Sequence, residues 1–116
     1  MPLDGKVADY VKNDVADVLR RAKALIPDEA SWFQGGYGRN LELRNNSLIG
    51  NCVRTAITRA AAGMAAWGPA EKVFARANNI STADGMAIPA WNNADEREFA
   101  DIHPAFDRAI ALAERR

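Results

Sequence analysis

The sequence holds one cysteine, Cys52, and one histidine, His103. A single thiol excludes a disulfide within the chain, and so few sulfur and imidazole groups exclude a Cys/His zinc site of the usual ligand number. Disulfide-free chemistry fits a reducing compartment. No apolar run approaches the roughly 20 residues that a membrane span needs. The opening M-P-L-D-G-K-V-A-D-Y has no apolar signal-peptide segment, so a cytoplasmic location without membrane contact is expected. Net charge is also missing, with 15 basic and 15 acidic residues. That balance lacks the strong basic footprint of a dedicated nucleic-acid binder.

What is present is an ordinary globular composition, 48% apolar and 26% charged over 116 residues. This is the size of one domain, expected over 1–116 with residues 1–10 as an N-terminal arm, and it can bury a core without staples. The charge is unevenly spread. Between Arg39 and Arg76 stand six basic and two acidic residues, net +4; between Asn79 and Asp107 stand six acidic and one basic, net −5. Three readings are open: decoration of solvated faces, pairing within the fold, and pairing between two copies. The basic segment also leaves contact with nucleic acid open.

The hydrophobic pattern has a helical period. Val15, Val18, Leu19, Ala22, Leu25 and Ile26 make one apolar stripe, ended by Pro27. Residues 28–50 read as mostly irregular, with glycines at 35, 36 and 38, one short strand candidate at Leu41 and Leu43, and a turn at Asn45-Asn46. A second helix is predicted from Asn51 to Ala66, with Val53, Ala56, Ile57, Ala60, Ala61 and Met64 buried and Arg54, Thr55, Thr58 and Arg59 facing out. W-G-P at Trp67 to Pro69 reads as a break, with Pro69 opening a third helix to Ala77. Ser81 to Trp91 reads as a loop or short helical turn. Asn93 and Glu96 stand in capping-box spacing before a last helix carrying Phe99, Ile102, Phe106, Ala109, Ile110 and Ala113, kinked or restarted at Pro104. The sum is an all-α domain of about four main helices with a long irregular loop after the first.

Catalytic chemistry could come from Cys52 at a helix N-terminus, where a thiolate is favoured, with His103 as base. Gln34 could donate to an oxyanion, and Asn92 or Asn93 could orient the histidine. The alternative is that Cys52 is a small core residue and His103 a capping or surface residue. Asp95, Glu96, Glu98 and Asp101 could hold a hard cation, but a first-turn acidic cluster needs no metal, and neither a metal nor a cofactor is expected. Trp32, Trp67 and Trp91 all stand at element boundaries. They read either as core anchors or as the walls of a pocket to which Gln34, Arg39, Asn92 and Asn93 add polar contacts. Large aromatics at boundaries also suit a protein interface.

Three marks in chain order carry a resemblance. They are Trp32, Gln34, Gly35, Tyr37 and Arg39 after the first helix; N-C-V-R-T-A-I opening an alanine-rich helix; and W-N-N before F-A-D-I-H-P-A-F-D-R-A-I. With them the chain resembles, from Val18 to Ala113, an uncharacterised family of small helical domains of actinobacteria and bacteriophages. Asn93 stands where that family tends to have aspartate. The resemblance implies a phage or mobile-element setting, hence a host cytoplasm, and a site that joins Trp32, Gln34, Tyr37 and Arg39 to Trp91, Asn92 and Asn93. The preferred function is an accessory protein that binds a protein partner, for example as an inhibitor of a bacterial defence system; a second copy of the chain is one candidate partner. The alternatives are a cysteine-dependent hydrolase or transferase using Cys52 and His103, and a small-ligand or nucleotide binder in a tryptophan-lined pocket.

Overall fold

The computed structural model of the chain describes residues 3–34, 51–62, 66–81 and 86–115, with 3–13 as backbone alone. These form five α-helices: α1 (Leu3–Ala24), α2 (Val53–Ala61), α3 (Trp67–Ala77), α4 (Ala87–Asn93) and α5 (Ile102–Arg115). Two short 3-10 turns, Glu29–Ser31 and Phe99–Asp101, complete the described elements. The fold is all-α, as the helical period predicts. The strand candidate at Leu41 and Leu43, the Asn45-Asn46 turn and Met64 lie outside the described residues.

α1 is the hub, packing on α5, α2 and α3. Its buried stripe is Val15, Ala16, Val18, Leu19 and Ala22, continued by Ile26 after the helix ends. Leu25, expected on this stripe, is exposed instead, because the helix stops at Ala24 and the chain turns before Pro27. The helix begins at Leu3, so its backbone takes in most of the segment read as an arm.

α2 buries Val53, Ala56, Ile57, Ala60 and Ala61, the predicted face. It is shorter at both ends than predicted. Asn51 is in a parallel β-bridge with Trp32, and Cys52 is the N-cap. Ala62 takes a left-handed conformation, φ 40°, and stops the helix while its N–H donates to the Thr58 carbonyl. Arg54 and Arg59, expected to face out, are half-buried. Arg54 pairs with Glu71 of α3 at 3.2 Å, and Arg59 donates to the Asn51 side chain at 3.0 Å.

α3 starts at Trp67, two residues before the predicted start. Pro69 falls in the first turn, where the backbone N–H groups have no intrahelical partner and a missing one costs little. Asn79, at φ 57°, lies in the turn that follows α3. The Ser81–Trp91 segment ends in a true helix, α4, which runs on to Asn93, again with a proline in its first turn. Asn93 ends α4 and does not cap the last helix. The capping box is Glu98 with Asp101, around the 3-10 turn that leads into α5. Pro104 sits in the first turn of α5 and so needs no kink.

Phe74 of α3 and Phe106 of α5 are fully buried, with ring centroids 5.0 Å apart, and Trp91 and Phe74 form a T-shaped pair at 5.6 Å. Each buried phenylalanine contributes roughly 1.5–3 kcal/mol of transfer free energy. The ion pairs Lys23–Asp107 and Arg20–Glu114 clamp α1 to α5, and Arg54–Glu71 clamps α2 to α3. They tie neighbouring helices together rather than joining the basic block to the acidic one.

Candidate binding site around Asn92

The Trp32–Gln34 segment meets the end of α4 and the start of α2, and Asn92 lies at their junction. Its side chain is completely buried. A buried amide needs four partners, two for its oxygen and two for its nitrogen. All four are found. Oδ1 accepts from Trp32 Nε1 at 2.9 Å and from the Val53 backbone N–H at 3.0 Å. Nδ2 donates to the Phe33 carbonyl at 3.1 Å and to Asn93 Oδ1 at 2.9 Å. One residue therefore fixes the tryptophan, the strand-like segment after it, and the first N–H of α2.

A second asparagine works beside it. Asn51, also buried, donates from its backbone to the Ser31 carbonyl and accepts from the Phe33 N–H, which forms the β-bridge. Its side chain donates to the Leu25 carbonyl and accepts from Arg59. The end of α1, the Trp32 segment and α2 are thus held by one side chain and its backbone.

Gln34 closes the outer edge. Its Nε2 donates to the Asn92 carbonyl at 3.1 Å and to the Ala94 carbonyl at 2.9 Å, and lies 3.5 Å from the Arg97 carbonyl. These carbonyls belong to the end of α4 and the turn after it; the Ala94 carbonyl also accepts from the Arg97 backbone N–H at 2.9 Å. Arg97 covers Trp91: its guanidinium lies 4.0 Å from the ring centroid, Nε donates to the Trp91 carbonyl, and Nη1 pairs with Asp101. Trp91 is thereby packed between Phe74 and a cation, an arrangement its ring face favours. Trp32 leans on Phe99 at 6.5 Å.

Of the residues singled out from the sequence, Trp32, Gln34, Trp91, Asn92 and Asn93 come together here. Tyr37 and Arg39 lie outside the described residues. Core anchoring holds for Trp32 and Trp91, which pack against the core, but Trp67 is 48% exposed. Arg97, Asn51 and Phe33 were not singled out. Arg97 carried a usable signal, being the one basic residue inside the acidic block.

Cys52 and His103 are in different bonds. Cys52 Sγ accepts from the Thr55 N–H at 3.4 Å and lies 3.2 Å from Thr55 Oγ1, so the thiol serves as the N-cap of α2 and is buried. His103 Nε2 lies 2.6 Å from the Ile26 carbonyl. A carbonyl only accepts, so Nε2 carries the proton and the imidazole closes the chain end of α1. Its ring packs edge-on against Phe99 at 5.2 Å. Neither group is hydrogen-bonded to the other among the described residues. The described residues also hold no cluster of three or more potential metal ligands, and no described helix is long and apolar enough to cross a membrane.

A family model matches residues 11–112, which contain the whole Asn92 junction. The chain belongs to the family of unknown function DUF6197. No curated protein and no solved structure matches it. The family match covers nearly the same span as the resemblance drawn from the three sequence marks.

Proposed function

We propose that this chain works by binding a protein partner, as a small accessory protein of the kind that phages and mobile elements carry, and not by catalysis. The phage setting comes from the sequence resemblance alone. The observation that carries the binding reading is Trp67, whose indole is 48% exposed at the start of α3 while the other two tryptophans pack on the core. Tryptophan is the side chain most enriched among energetic anchors of protein interfaces. The side chains best suited to chemistry support the same reading, because Cys52, His103 and Asn92 are each engaged in holding the fold.

The test is a comparison of two baits, the wild-type chain and Trp67→Ala, against lysate of a natural host, with thermal melting to show that both are folded. The reading predicts a specific protein retained by the wild type and lost, or weakened by about 30-fold in Kd, by Trp67→Ala at unchanged melting temperature. Equal retention by both baits, or none by either, would count against it.

A further inference from the structure

Gln34 fills a site whose shape suits a different donor. Three backbone carbonyls, from Asn92, Ala94 and Arg97, converge on its Nε2 at 3.1, 2.9 and 3.5 Å. A primary amide has two N–H groups, so it can serve two of these oxygens, and the third stands at the limit of hydrogen-bond reach. An ammonium group has three N–H groups and matches all three. The electrostatics point the same way. The Asn92 carbonyl lies at the C-terminus of α4 and carries partial negative charge, and Asp95 and Glu96 lie exposed in the turn between Ala94 and Arg97. The nearest cation on that turn, the Arg97 guanidinium, is turned onto Trp91 and paired with Asp101. Gln34 itself is exposed, and its contacts with the Ala94 and Arg97 carbonyls lie at the exposed edge of the site.

We propose that these three carbonyls form a docking point for a primary ammonium group, a lysine side chain or free N-terminus of the partner, and that Gln34 holds it in the unbound chain. The proposal deepens the binding reading and rests on it for the identity of the ligand's carrier. Gln34 is then a competitor that leaves when the ammonium enters. The bond exchange is conservative: two amide hydrogen bonds are replaced by three charge-assisted ones, which are individually stronger.

The test needs no partner, so its failure is distinguishable from failure of the binding reading. Thermal melting is compared for the wild type, Gln34→Met, which keeps the length without donors, and Gln34→Lys, which supplies the ammonium in cis. Gln34→Met should melt lower by about 4 °C, and Gln34→Lys should recover that loss or exceed the wild type. In parallel, Gln34→Gly is melted with rising methylammonium chloride and, separately, tetramethylammonium chloride, which has the same charge and no N–H. The proposal predicts stabilisation by methylammonium alone, with a smaller shift in the wild type, where Gln34 competes. Gln34→Lys melting no higher than Gln34→Met, or equal response to the two salts, would overturn it.

Discussion

At the scale of single residues, buried polar side chains make their bonds inside the fold. Asn92 has four partners and no exposure, so truncation leaves the Trp32 indole N–H, the Val53 N–H and the Phe33 carbonyl without their partner. Each orphaned group costs about 1–3 kcal/mol when it stays buried. Asn92→Ala should therefore lose about 3 kcal/mol or more in urea unfolding, among the largest losses of any polar substitution in the chain. A loss below about 1 kcal/mol would mean that water replaces the lost bonds and that the junction is loose. Cys52 is a weaker cap than serine, since a thiol is a poor acceptor. Cys52→Ser should be neutral or slightly stabilising by urea unfolding, whereas Cys52→Ala should cost about 1 kcal/mol through loss of the cap to Thr55. The sequence placed Trp32, Gln34, Asn92 and Asn93 in one group but not their mode of use. Which of an amide's four bonds are internal depends on the meeting of residues some 60 positions apart, and no local pattern encodes that.

At the scale of elements, the apolar stripes of α1, α2 and α5 were legible because each repeats at helical spacing and faces one core. The ends were not. Pro69 reads as the opening of a helix and stands in a first turn, but Pro104 reads as a kink or restart, although it too stands in a first turn, where backbone donors are unpaired anyway. α4, only seven residues long, is too short to show a period, and its sequence fits a loop or a short helical turn equally well. The Asn93–Glu96 spacing imitated a capping box, while the working box uses Glu98 and Asp101, acidic residues hidden in a charged run. Two element-scale consequences can be measured. Ala62 closes α2 with φ 40°, a conformation that glycine adopts without penalty, so Ala62→Gly should raise stability by up to about 1 kcal/mol in denaturant unfolding. The Arg54–Glu71 pair is about one-fifth exposed, and a double-mutant cycle on α2 and α3 should give a coupling of about 1 kcal/mol, falling with added salt.

At the scale of the molecule, one apolar core holds α1 against α5, α2 and α3, and the Asn92 junction fastens the Trp32–Gln34 segment to it. The all-α class followed from composition and period. The division of labour among the polar residues did not, because the same sequence features, a cysteine at a helix start and a histidine before a proline, serve equally as catalytic parts or as caps. In the structure Sγ of Cys52 faces Thr55, and Nε2 of His103 faces the Ile26 carbonyl, contacts that suit caps. The central claim is that these groups hold the fold and leave function to the surface. The most direct measurement is the rate of Cys52 alkylation by iodoacetamide on the native chain from about pH 5 to about pH 9. The account predicts a thiol that stays silent until the protein is unfolded, at every pH in that range. Rapid alkylation of the native chain, with an apparent pKa below that of a free thiol, would contradict it and return the cysteine to a catalytic role.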